Sequence, residues 1–135
     1  MTRQRILLAD DHAQMLEEVR SLLDVNYEVI GAVENGAELV EAACSLKPDL
    51  IVSDIGMPVM NGFEAAAKIR ESGLPIKIIF LTVQSSPAYL KKACSLGAKG
   101  YVLKVFASEQ LLPAVASVLT GETYISPQLT AGASD

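Results

Sequence analysis

The chain has 135 residues, half of them hydrophobic, and a formal net charge of −5. That length suits one domain around one core. The acidic balance leaves no basic stripe to neutralise phosphates, which argues against a whole-surface nucleic-acid binder. No apolar stretch reaches membrane-spanning length, and Met1 to Arg5 leads into a strand rather than a signal peptide, so a cytoplasmic protein with no membrane contact is expected. Cys44 and Cys94 lie inside apolar helical patterns without metal-ligand spacing and are expected to be reduced core thiols.

Ile6 to Ala9 is a short apolar run that stops at Asp10-Asp11, which predicts a first strand with an acidic loop at its carboxyl end. Met15, Leu16, Val19, Leu22 and Leu23 recur at helical spacing, so a helix is expected over about residues 13–24. Tyr27 to Val33 is β-rich and fits a second strand. Asn35-Gly36 is a hairpin signal, but Leu39, Val40, Ala43 and Leu46 follow it with helical spacing and favour a helix. Pro48 to Ser53 reads as a buried parallel strand that delivers Asp54 to its carboxyl end. Pro58, which lacks a donor, and the turn-forming Asn61-Gly62 end that run.

Phe63, Ala66, Ala67 and Ile69 make the next helical face, closed by Gly73 and Pro75. Ile76 to Leu81 predicts a fourth strand ending at Thr82, and Pro87 opens a helix that stops at Gly97. Gly100 to Leu103 predicts a short fifth strand ending at Lys104. Ser108 is expected to cap a last helix, with Glu109 in its first turn and Gly121 at its end. Residues 126–135 are small and polar and read as a linker or frayed end. This rhythm predicts an α/β fold, a doubly wound five-stranded parallel sheet with five helices. Flavodoxin-like order is one of the two common arrangements for such sheets.

Under this reading Asp10, Asp11, Asp54, Thr82 and Lys104 all gather at the carboxyl edge of the sheet, where open α/β folds bind ligands. Each alone reads as a solvated loop residue; four strands ending in complementary polar groups point to a site. Three carboxylates in one pocket repel unless a cation joins them. Hard oxygen ligands with open positions suit Mg²⁺. Lys104 supplies a point charge for a phosphoryl oxygen, and Thr82 a hydroxyl donor. Asp54 is then a carboxylate nucleophile able to hold a phosphoryl group as an acyl phosphate.

Leu8-Ala9-Asp10-Asp11-His12, the run from Ser53 to Gly62, Phe80-Leu81-Thr82 and the run from Gly97 to Lys104 together resemble a response-regulator receiver domain of two-component signalling. The resemblance covers about residues 4–121. Asp10-Asp11-His12 and the run from Gly121 to Pro127 are similar to the NarL/FixJ (LuxR-type) branch, which carries the CheY-like strand order. It implies that Asp54 is the phosphoacceptor. Asp11 would be a direct Mg²⁺ ligand, Asp10 a ligand acting largely through water, and the Gly56 backbone carbonyl a third. Lys104 and Thr82 would bind the phosphoryl group, and Tyr101 would be the aromatic switch that turns inward when Thr82 moves.

The same resemblance implies a sensor histidine kinase as donor and the face of the fourth helix, fifth strand and fifth helix as output. Residues 1–121 would be the receiver domain and residues 122–135 a C-terminal linker or tail. The DNA-binding domain normal in that branch is expected to be missing, so DNA and transcription are reached through it alone; a stand-alone receiver working by protein contacts is the alternative. Three positions depart from the common pattern: Val105 follows Lys104, where many receivers have proline though this branch often lacks it; Val83 follows Thr82, where its bulk is expected to narrow access; and Gly56 leaves no side chain beside the site.

Two other classes fit less well. A haloacid-dehalogenase-type phosphatase needs a second carboxylate two residues after the nucleophile, where Gly56 stands. A flavodoxin-like flavin binder would place a phosphate loop where Asp10-Asp11 repels one. The expectation is therefore a phospho-accepting regulatory domain, not an enzyme with its own substrate. His12 reads as a surface residue near a helix start. No charged residue lies between Glu109 and Glu122. Leu111, Leu112, Val115, Val118 and Leu119 are expected to pack on the sheet, leaving Gln110, Pro113, Ser117 and Thr120 as a pairing face for a homodimer.

Overall fold

The computed structural model describes residues 3–133. In chain order the elements are β1 (Arg5–Ala9), α1 (Ala13–Leu23), β2 (Glu28–Val33), α2 (Gly36–Leu46), β3 (Leu50–Ser53), α3 (Gly62–Glu71), β4 (Lys77–Thr82), α4 (Pro87–Ser95), β5 (Gly100–Leu103), a 3-10 turn (Lys104–Phe106), α5 (Ala107–Leu119), β6 (Tyr124–Ile125) and α6 (Pro127–Ala133). The sheet runs β2-β1-β3-β4-β5-β6, and every pair is parallel. The flavodoxin-like order holds, with one more edge strand, β6, and one more helix, α6, than the five of each expected. The chain reverses direction across the sheet between β1 and β3, which makes that gap the switch point where such folds open a crevice.

Side chains alternate across the strands and build two apolar layers. Leu7, Ile51, Phe80 and Tyr101 face one way and meet Leu39 and Ala43 of α2, Ala65, Ala66 and Ile69 of α3, and Ala93 of α4. Ile6, Leu8, Val52, Leu81 and Val102 face the other way and meet Val19 and Leu23 of α1 and Leu111, Val115 and Val118 of α5. The sheet is thereby covered on both faces, and its carboxyl edge is left for loops.

At α2, α3 and α4 a side chain satisfies one of the first amides of the helix. The Asn35 side chain accepts from the Glu38 amide, so Asn35-Gly36 opens α2 instead of a hairpin. Asn61 and Glu64 form a reciprocal capping box at α3, at 2.9 and 3.0 Å. Gly62 is required there: a Cβ would collide with the Asp54 carbonyl, which α3 approaches directly.

Four expectations change. The 3-10 turn carries the chain into α5 at Ala107, one residue before Ser108, so Ser108 lies inside the helix and α5 has no side-chain cap. Cys44 and Cys94 are exposed rather than core, because each falls one residue past the buried Ala43 or Ala93 stripe of its helix. On α5, Gln110 and Ala114 are buried, while Leu112 and Leu119 are half-buried. The tail is not a free linker at its start: Tyr124 and Ile125 pair with Gly100 and Tyr101, Ser126 is fully buried, and Leu129 packs on the core.

Candidate functional site

Strand register sets the site. Ala9 pairs with Ser53, so Asp10 and Asp54 leave β1 and β3 side by side at the switch point. Their backbones are tied down as well, Asp54 N–H to the Ala9 carbonyl at 2.9 Å and Asp10 N–H to the Val33 carbonyl at 3.0 Å. Thr82 pairs with Leu103, which places Lys104 one residue beyond the end of the β4–β5 ladder. Its ammonium reaches back over the edge, 2.8 Å from Asp10 Oδ2 and 2.9 Å from Asp54 Oδ2. The Ile55 amide holds the other Asp54 oxygen, Oδ1, at 2.7 Å.

Asp10 and Asp54 are buried while Asp11 is exposed. Burial acts against the Lys104 charge, but hydrogen bonds to Asp10 and Asp54, together with their charges, outweigh it and raise the ammonium pKa above its usual value. Three carboxylates still face one ammonium. Asp10, Asp11, His12 and Asp54 bring candidate ligand atoms within 4.8 Å of one another. That donor set, mostly hard carboxylate oxygens with one side open to solvent, fits a small divalent cation that keeps part of its water.

His12 is closer to this cluster than its sequence position suggested. It is the N-cap of α1, and its amide donates to Asp10 Oδ1 at 2.9 Å. Its Nδ1 lies 3.0 Å from Asp10 and 3.2 Å from Asp11. The adjoining acidic pair was the available signal, since a histidine directly after two pocket carboxylates has little chain in which to escape them.

Gln84 is the residue that the sequence did not single out. Its amide donates to Thr82 Oγ1 at 3.2 Å, and its carbonyl accepts from the Tyr101 hydroxyl at 2.7 Å. Both hydroxyls therefore hang on one residue of the β4–α4 loop. A threonine hydroxyl bonding the amide two residues on is a local turn, and that spacing was its signal. Tyr101 is buried in this state, and burial first, then the Tyr89 and Asp54 charges, push its pKa up to about 12.

The loop after Asp54 carries strain. Val59 has φ +67, and the Met60 amide bonds the Pro58 carbonyl across it at 2.7 Å. A β-branched residue there is a backbone outlier of the kind found at functional loops. Val59, Val83 and Val105 stand on three loops of this edge and are 84%, 71% and 78% exposed. Val83, expected to narrow access to the site, is largely exposed at that edge. Gly56 has open space where a Cβ would be.

The response regulator receiver domain family matches residues 6–116. The nitrate/nitrite response regulator NarL of Escherichia coli is 39% identical over 127 residues, 93% of this chain and 59% of NarL. The chain thus spans about three-fifths of that relative's length. The chemotaxis protein CheY of Halobacterium salinarum is 36% identical over 117 residues, 87% of this chain and 98% of CheY. A solved two-component response regulator of the LuxR family from Aurantimonas superposes with a TM-score of 0.91 at 30% identity, over 96% of this chain and 94% of that one.

Proposed function

The chain belongs to the response regulator receiver family of two-component signalling, and from that premise we propose that Asp54 accepts a phosphoryl group from a sensor histidine kinase. The observation that carries this reading is the buried Asp10–Lys104–Asp54 bridge at the switch point of the sheet. One Asp54 oxygen is anchored by the Ile55 amide, while Lys104 covers the other. Asp10, Asp11, Asp54 and the Gly56 carbonyl would hold Mg²⁺, which supplies positive charge beside the transferring group. His12 stays outside that set and steadies Asp10.

In the transfer, an Asp54 oxygen attacks phosphorus and the P–N bond of the donor phosphohistidine breaks. The imidazole leaves and takes up a proton, and an acyl phosphate remains on Asp54. Lys104 exchanges its Asp54 contact for a phosphoryl oxygen and keeps Asp10. Thr82 turns its hydroxyl to another phosphoryl oxygen and gives up the Gln84 amide. Tyr101, bonded to the same loop residue, follows and passes the change to the face of α4, β5 and α5. The exposed valines around the site suit a protein donor, because apolar rims favour protein contacts over free small anions.

The output we propose is transcriptional control in the cytoplasm through a DNA-binding domain of the full protein. The likeness to CheY, which this chain matches over nearly its whole length, favours a second reading as a stand-alone receiver. In both readings α5 pairs two chains through its uncharged exposed positions. Intact-mass measurement after exposure to acetyl phosphate and Mg²⁺ tests the core of the proposal. One phosphoryl group is expected on the wild type and none on Asp54→Asn; equal uptake by the mutant would refute the assignment.

A further inference from the structure

We propose that Ser126 is a positioning residue for Lys104, so that the segment after α5 completes the phosphoacceptor site. The proposal rests on the phosphoacceptor reading of Asp54. Lys104 must place one nitrogen between two buried carboxylates, yet it sits where the chain leaves β5 for a 3-10 turn. The peptide just before it needs a fixed anchor. Along β5, Tyr101 turns its carbonyl to the outer flank, where it accepts from the Ser126 amide at 2.9 Å. Alternate residues of a strand address the same neighbour, so Leu103 also faces that flank.

β6 ends at Ile125, and the next carbonyl, that of Ser126, turns away to accept from the Leu129 amide at 2.9 Å. The Ser126 hydroxyl continues the ladder instead. Its oxygen accepts from the Leu103 amide at 3.0 Å and donates its proton to Gln110 Oε1 at 2.6 Å. Gln110 in turn donates to Gln128 at 2.9 Å. Ser126 is fully buried and Gln110 nearly so. One buried hydroxyl thus joins the last peptide of β5 to α5, on the two sides of the turn that begins with Lys104. Buried networks of this kind fix geometry, because a group left unpaired there has no water to replace its partner.

Energetic coupling between two sites acts in both directions. If Ser126 favours the resting position of Lys104, then a Lys104 that swings to a phosphoryl group changes how firmly residues 124–130 hold the sheet. Phosphorylation is then felt directly by the chain that follows α5, in addition to the α4–β5–α5 face.

The test uses the full chain and Ser126→Ala. The resting-state side-chain resonance of Lys104, followed by lysine-labelled NMR without any phosphoryl donor, should shift. Uptake from acetyl phosphate at saturating Mg²⁺ should slow by about tenfold, less than outright loss of an electrostatic donor costs. Mg²⁺ affinity should stay within about twofold, since no cation ligand touches Ser126. An unmoved Lys104 resonance with wild-type uptake would overturn the proposal. So would a parallel loss of Mg²⁺ affinity, which would mark a general loosening of the fold. A wild type that takes up no phosphoryl group, while Ser126→Ala still moves Lys104, would remove the phosphoacceptor reading and leave the positioning intact.

Discussion

The two halves of the sheet edge are built differently. On the β1 and β3 side stand Asp10 and Asp54, held by ion pairs to Lys104 and by backbone bonds whose positions follow from strand register, with the exposed Asp11 beside them. On the β4 and β5 side stand two hydroxyls, Thr82 and Tyr101, each on a single hydrogen bond to the same loop residue, Gln84. Breaking a buried ion pair costs about 3–5 kcal/mol, whereas a hydrogen bond between neutral groups contributes about 0.5–1.5 kcal/mol net. The Asp10 and Asp54 carboxylates are therefore the fixed part and the hydroxyl half the movable one. Under the proposed function, a phosphoryl group on Asp54 takes over the Lys104–Asp54 contact and then has only the weaker Gln84 bonds to overcome to set the second half in motion.

The charged half is broken most severely at Asp11. Asp11→Ala removes a carboxylate that is exposed and pairs with no lysine, so the fold should survive while Mg²⁺ affinity falls by at least about tenfold in a calorimetric titration. Unchanged affinity would separate the acidic cluster from cation binding.

The hydroxyl half should show itself at alkaline pH. Folding raises the Tyr101 pKa from 10.0 to about 12. Below pH 10 both folded and unfolded chains keep the phenol proton, and its stabilising effect is fully present. Above it the unfolded chain ionises first, so stability should fall between pH 10 and about 12. Lys104, also raised, adds a loss of the same sign. Urea midpoints across this range should slope less in Tyr101→Phe than in the wild type. Identical slopes would mean that the phenol is not held protonated by its burial.

The smallest effect is expected on α5, away from both halves. Beyond its first turn, its exposed positions are Pro113 and Ala116, followed by the C-cap Thr120, with Ser117 half-buried. Ser117→Glu should weaken self-association by about fivefold through like charges, without altering phosphoryl uptake. Sedimentation with and without fluoroberyllate measures it, and a wild type that remains monomeric in both states at high concentration would end the pairing proposal.

The gathering of Asp10, Asp54, Thr82 and Lys104 was legible because each of their strands is an apolar run stopped by a polar residue, whereas strand order did not follow from that pattern and came from the resemblance to receiver domains. That pattern is local, and the parallel topology converts it into one shared edge. What escaped depended on partners distant in sequence. Tyr124-Ile125 is β-prone but too short to announce a strand by itself; the segment docks because the Lys99 and Tyr101 carbonyls and the Leu103 amide present partners to it. Cys44 and Cys94 were misread because an apolar run does not state which of its residues the helix turns outward. Ser108 lost its capping place to a 3-10 turn over Lys104–Phe106, which starts α5 at Ala107.

The central claim is that the fixed half drives the movable half, and the Tyr101 ring reports it directly. Fluoroberyllate bound at Asp54 stands in for the phosphoryl group, and the Tyr101 ring resonances are read by NMR in wild type and in Thr82→Ala. The account predicts a clear shift in the wild type and a blunted one in the mutant, because Thr82 and Tyr101 communicate through Gln84. A full shift in Thr82→Ala would contradict it.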